Sequence, residues 1–241
     1  MSIVPRTLTR TGALALAAGA LIACKDGYAE ERPARARPAP GPLAPAATDA
    51  LCATRGKLDG DRGRVHITEP VVRMVAPSSH ADAAALRFTY QGPTKDSVAL
   101  GSGQIRRQLG LKLRAEDGCN LVYVMWRIEP GPGIEVSVKR NRGKRSADDC
   151  GTSGYTKVKA ARSVAVPAPA PGDAHTLEAH ITGDQLVATV DGEVVWEGAL
   201  PASARSLAGP AGLRTDNVVA DVELLTADGP RRKRSSIPGC K

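Results

Sequence analysis

The chain has 241 residues, a formal net charge of +8, 24% charged side chains and only 3% aromatic ones. The charge gathers at the ends: Arg6 and Arg10 near the start, and a basic stretch over 228–241, which leaves 50–227 close to neutral. A near-neutral body with a basic tail excludes nucleic acid as a partner on composition. The scarcity of rings argues against the aromatic platforms on which neutral polysaccharides rest.

Arg6 and Arg10 precede an apolar run over 12–20 and then Leu21-Ile-Ala-Cys24, the layout of a cleavable export signal. The run is too short to span a bilayer. Leu-Ile-Ala-Cys resembles the lipobox of bacterial lipoproteins. That resemblance implies removal of residues 1–23, a diacylglycerol on the sulfur of Cys24, and a place in the bacterial cell envelope with the membrane as partner. Acyl chains worth ~0.8 kcal/mol per buried methylene anchor a protein without a transmembrane helix. Lys25, standing where inner-membrane lipoproteins carry Asp, points by the same resemblance to the outer membrane.

Residues 24–49 are Pro, Ala, Arg and Glu with hardly a bulky apolar side chain, too little to offset the entropy of ordering. A disordered, semi-extended linker is expected there. Residues 50–227 then form one domain with one core, and 228–241 a solvated basic tail carrying Cys240. Four cysteines follow Cys24, and an even number in an exported chain points to two disulfides. Of the three connectivities we expect Cys119 with Cys150, tying a hairpin tip to the loop after residue 139. The other pair, Cys52 with Cys240, would staple the ends of the domain, which meet if its first and last strands pair. No Cys-x-x-Cys spacing supports a zinc or redox site.

Segments 64–67 and 71–75 read as short strands separated at Pro70, and 84–90 alternates Leu86, Phe88 and Tyr90 against Arg87 and Thr89 until Gly92-Pro93 stops it. The most regular stretch is 105–139. Ile105, Leu109, Leu111 and Leu113 alternate with Arg106, Gln108, Lys112 and Arg114. With Asp117-Gly118 as the centre of a type I′ hairpin, Leu113 faces Val122, Leu111 faces Val124 and Leu109 faces Trp126. Beyond Glu129-Pro-Gly-Pro-Gly133, a third strand adds Ile134, Val136 and Val138 to the same side. A loop over 140–154, a strand over 155–166 and a Pro-Ala run follow. Leu177, Ala179 and Ile181 then meet Leu186, Ala188 and Val190 across Gly183-Asp184, a type II′ turn. A turn at Asp191-Gly192 leads to 194–196, and strands over 208–214 and 218–225 finish an all-β, two-sheet antiparallel sandwich.

The words His175-Thr-Leu-Glu-Ala-His-Ile-Thr-Gly-Asp-Gln-Leu-Val-Ala-Thr-Val-Asp-Gly192 and Gly209-Pro-Ala-Gly-Leu-Arg-Thr-Asp-Asn217, with a closing strand, resemble the C-terminal half of concanavalin A-like lectin/glucanase domains. Laminin-G-like and 3-keto-disaccharide hydrolase-like domains belong to that group. The resemblance covers about 86–225 in layout and implies a jelly roll whose concave sheet often carries glycans.

Catalysis finds little support in spacing. The Glu-x-Asp-x-x-Glu of retaining glucanases of this fold is missing, and Asp221-Val-Glu223, two carboxylates on one strand face, fits a solvated edge better. His175 and His180 are an odd number apart and point to opposite faces of one strand. Gly101-Ser-Gly103 lacks the pentapeptide of a nucleophile elbow and reads as a bend. Asp216-Asn217 falls where some laminin-G-like domains place calcium ligands, but calcium takes about six to eight oxygens, so a turn is expected and no cofactor. The polar face of 105–139 is the candidate ligand site: Gln108, Lys112, Tyr123, Arg127, Glu135 and Lys139, with Arg127 between Gln108 and Glu135 and a basic rim over 139–145 near Arg114. Cations, an amide and a phenol suit the carboxylates and hydroxyls of an acidic glycan. The sequence thus points to a lipid-anchored envelope protein with a non-catalytic ligand-binding jelly roll. A carbohydrate-active hydrolase or lyase is the alternative, and a structural or protein-binding module the second.

Overall fold

The structure, a computed structural model, describes residue 1, residues 39–233 and residues 236–240. The expected leader, Cys24 and most of the expected linker lie outside the described residues. In chain order the strands are β1 (Ala44–Pro45), β2 (Cys52–Arg55), β3 (Gly60–Asp61), β4 (Arg64–Ile67), β5 (Val71–Val75), β6 (Ser79–Pro93), β7 (Arg107–Leu113) and β8 (Leu121–Glu129). They continue with β9 (Gly133–Lys139), β10 (Tyr155–Lys157), β11 (Arg162–Ser163), β12 (Ala174–Thr182), β13 (Gln185–Val190), β14 (Glu193–Ala199), β15 (Gly212–Asp216) and β16 (Val218–Asp228). One sheet runs β11-β14-β13-β12-β6-β16-β4-β3, with β1 also on β16; the other runs β10-β9-β8-β7-β15-β5-β2. The result is the expected jelly-roll sandwich, and its only α-helix among the described residues is the short Ala147–Cys150.

Period-2 alternation builds the core. Leu109, Leu111 and Leu113 pair with Trp126, Val124 and Val122, and these pair in turn with Ile134, Val136 and Val138. From the facing sheet come Leu86, Phe88, Leu177, Ala179, Ile181, Val222 and Leu224. Trp126 meets Phe88 edge to face at 5.5 Å and donates its indole N–H to the Pro167 carbonyl, so the ring is buried without stranding a donor.

Local signals fixed some turns and misjudged others. Gly183 has φ +64 with Asp184 outside the left-handed region, which fits the type II′ turn, while Asp191 (φ +51) and Gly192 (φ +87) form a type I′ turn. The β7–β8 register is the one expected, yet Asp117-Gly118 is no two-residue turn. The strands part at Leu113 and rejoin at Leu121, and Asp117 closes the longer loop by accepting from Cys119 N at 2.7 Å and from Asn120. Strand β6 runs further at both ends than 84–90, because Gly92 and Pro93 sit at its terminus, where a missing N–H costs nothing. The stretch 155–166 is two edge strands in different sheets, β10 on β9 and β11 on β14, so it crosses the sandwich.

Both domain boundaries also shift. Ala44 and Pro45 pair with β16, so the end of the expected linker belongs to the fold. At the other end the tail is not simply solvated: Ile237 is 5% exposed, packed against Cys52, Val75, Tyr123 and Met125. The disulfides are Cys52–Cys240 and Cys119–Cys150. The first and last strands, β1 and β16, do pair, but the Cys52–Cys240 disulfide joins the tail to the edge strand β2 in the other sheet, so the staple is not made across that pair.

Candidate functional site

On the outer face of the seven-stranded sheet the alternation leaves Arg73 on β5, Arg214 and Asp216 on β15, Gln108 and Lys112 on β7, Tyr123 on β8, Glu135 on β9 and Tyr155 and Lys157 on β10. Loops turn this face into a groove of about 1180 Å³, walled by residues 98–102 on one side, 145–152 on another and 237–239 at the β2 end. The loops come close to one another: a Cβ on Gly101 would lie 2.7 Å from the Thr152 methyl. Within the floor, a Cβ on Gly110 would lie 2.2 Å from the Val124 carbonyl oxygen, so only glycine lets β8 approach β7 there.

Charge in the floor is unbalanced. Eight basic and five acidic side chains line the groove, an excess of positive charge in a recess where water screens it poorly. Asp216 is the strut: its carboxylate accepts from Arg73 Nη2 at 2.5 Å, Gln108 Nε2 at 2.6 Å and Arg214 Nε at 2.8 Å. Burial alone would raise the Asp216 pKa, but the two guanidiniums outweigh it and hold the carboxyl below its usual range. Arg214 also lies over the Tyr123 ring at 4.8 Å and donates to the Tyr155 hydroxyl at 3.5 Å. Tyr123 and Tyr155 stack with centroids 6.2 Å apart. Burial, then Tyr123, pushes the Tyr155 phenol up.

Lys112 stands apart. It is 4% exposed, it lines the groove, and among the described residues no acceptor takes a hydrogen bond from its Nζ. Burial, followed by the Arg73 and Arg214 charges, pushes its pKa down to about 7. Lys139 is lowered as well, by burial and then by Arg214, but its Nζ donates to the Gly151 carbonyl at 2.8 Å and sits 5.0 Å from the Tyr155 ring centre.

Five of the six residues singled out in the sequence, Gln108, Lys112, Tyr123, Glu135 and Lys139, line this groove, and Arg127 does not. Arg127 is opposite Gly133, and Glu135 is opposite Met125. The cis peptide before Pro130 lies in the β8–β9 turn, and there Arg127 donates to the Gly131 carbonyl at 2.7 Å and reaches Glu135 only diagonally at 3.4 Å. Glu135 also pairs with Arg106 and Lys157; burial opposes its charge, but Lys157, Arg106 and Arg127 prevail and hold it low. Arg114 is no part of a rim. Its φ of +50 takes it out of the strand and into the protein, where it pairs with Asp82 and donates to the Ala204 and Gly183 carbonyls.

Sequence reasoning missed Arg73, Arg214, Asp216 and Tyr155. Asp216 ends a strand rather than making a turn, and with its oxygens on two guanidiniums it does not fit calcium. Asn217 is equally committed, to Val98 and Arg106 backbone groups. The available signal was a lone Arg73 inside the apolar Val71–Val75, and Arg214 two residues from Asp216 on one strand face. Asp221 and Glu223 lie on the opposite sheet, bonded to His66 at 2.7 Å and Arg87 at 2.8 Å.

No family profile and no curated protein matches the chain. Among solved structures it is similar to the carbohydrate-binding module CBM66 from Bacillus subtilis, at 12% identity over 75% of this chain and 96% of that one, with a TM-score of 0.51. Galectin LEC-6 from Caenorhabditis elegans (10%, covering 70% and 99%, 0.41) and the Crh5 transglycosylase in complex with NAG (15%, covering 79% and 88%, 0.43) are more distant in shape. At 12% identity the likeness to the first of these bears on the jelly-roll fold alone.

Proposed function

We propose that this chain is a non-catalytic binding protein that holds an acidic glycan in the groove of its seven-stranded sheet, displayed on the bacterial cell envelope by a lipid anchor at Cys24. The observation that carries the reading is the cationic floor: Arg73, Lys112, Lys139 and Arg214 are gathered under loops, with the buried Asp216 carboxylate pairing only the two arginines. Oxyanions meet such donors with charge-assisted hydrogen bonds, the strong kind. Sugar rings would find a restricted apolar surface on Tyr123, Tyr155 and Met125. That a structure this fold resembles is a carbohydrate-binding module supports the sugar part of the proposal.

Hydrolysis needs a carboxylic acid with a proton to give. Of the five acidic side chains that line the groove, the two on its sheet floor, Asp216 and Glu135, are ion-paired and held below the usual range, so the floor supplies none. A glycan array on the full chain should therefore give binding to uronate-bearing or sulfated glycans, weak binding to neutral ones, and no release of new chain ends. Arg145→Ala and Lys157→Ala on the rim should weaken binding, and Arg127→Ala, outside the groove, should leave it unchanged. Equal binding of neutral glycans, or cleavage, would overturn the reading. For the anchor, Cys24→Ser should abolish labelling with palmitate and move the chain from the detergent to the aqueous phase.

A further inference from the structure

Among the groove's cations, Arg73 spends its donors on the Val72 and Thr215 carbonyls and on Asp216, and Lys139 donates a hydrogen bond to the Gly151 carbonyl. Arg214 commits Nε to Asp216 and Nη1 to Tyr155, which leaves Nη2. Lys112 alone is buried with its three donors unspent, beside Gly212 on one neighbouring strand and Tyr123 on the other. The Lys112 Nζ is not sealed like Arg140 Nε or Thr215 Oγ1 but opens to the groove, and an ammonium with so little water and no protein acceptor is placed for a group from outside to complete it. We infer that Lys112, backed by Arg214, is the seat for one oxyanion of the ligand, a carboxylate or a sulfate, held there as a buried charge pair.

The inference rests on the acidic-glycan reading of the same groove. Its chemistry makes a demand that the general reading does not. The groups facing Lys112 are Arg73 on β5, Arg214 and Asp216 on β15, Tyr123 on β8, Lys139 on β9, Tyr155 on β10 and Asp117 from the β7–β8 loop. In the empty groove Lys112 titrates near neutrality, since burial and two guanidiniums oppose its charge. An arriving anion reverses that balance. Above about pH 7 the anion must therefore bring a proton with it, and affinity should fall by up to about tenfold per pH unit until the raised pKa is passed.

The test is calorimetry on the full chain at about pH 8, in two buffers of different ionisation enthalpy, with galacturonate, galactose 6-sulfate, galactose and inorganic sulfate as probes. The arms separate carboxylate from sulfate. We expect an anionic sugar to bind with uptake of a fraction of a proton, galactose not to bind, and the uptake to vanish in Lys112→Met. Near-ultraviolet circular dichroism checks that this variant folds. An anionic sugar that binds Lys112→Met with unchanged affinity and proton count overturns the seat and leaves the glycan reading standing. If no sugar binds, NMR titration of the Lys112 side chain with inorganic sulfate decides. A raised midpoint keeps the seat while the glycan reading falls, and an unmoved midpoint ends both.

Discussion

The outer faces of the two sheets arise from the same alternation and carry similar residue types, yet their charges are in opposite conditions. On the nine-stranded sheet the polar side chains of β16 meet partners directly across the strands: Asp221 opposite His66, and Glu223 opposite both Arg64 and Arg87. His66 and Arg87 remain 48% and 54% exposed, so water shares the work. Beneath the groove, Arg214, Lys112 and Asp216 are buried and Arg73 is only 16% exposed, and cations outnumber carboxylates. The exposed ladder is self-sufficient and interchangeable. A buried excess of one sign is retained against its cost, and that difference directs attention to the groove.

The largest effect should come from the tail, which only the groove face carries. Replacing both Cys52 and Cys240 by Ser frees a link spanning 188 residues, and chain-entropy arguments place the loss at about 5 kcal/mol, measured by urea unfolding. Asp216→Asn should cost about 3 to 5 kcal/mol, because it leaves two guanidiniums buried without their carboxylate. A loss below about 1 kcal/mol there would erase the contrast between the faces. Stability should also rise with pH between about 7 and the ordinary lysine value of 10.5, since in that window the unfolded chain holds a proton that folded Lys112 has released. The slope is up to ~1.4 kcal/mol per pH unit, with Lys139 adding in the same sense, and Lys112→Met should flatten it. Smallest of all, Glu223→Gln on the exposed ladder should cost no more than about 1 kcal/mol, in the range of surface pairs.

The β7–β8–β9 meander was legible because its information is local. A one-residue slip would move Leu109, Leu111 and Leu113 to the wrong side, so hydrophobic alternation pins the register even though the turn at Asp117-Gly118 was misjudged. The β12–β13 hairpin was readable for the same reason, with Gly183 supplying the turn. Arg127 was misplaced because a five-residue turn does not specify which residue of β9 opposes it, and the strand begins at Gly133. Tyr155 was hidden in a segment that reads as one strand and divides between two sheets.

By itself, then, the sequence determined which side chains share a strand face, the all-β class and the type II′ turn at Gly183-Asp184, since each follows from backbone geometry over a few residues. Only the tertiary structure decided which face is roofed and who stands beside whom. Arg73 and Asp216 are 143 residues apart and meet because β15 inserts between β5 and β7, a neighbourhood set by how the whole chain buries its core. Burial under loops that come from three further parts of the chain turns that row of charges into a site, because the strength of a charge depends on the water around it.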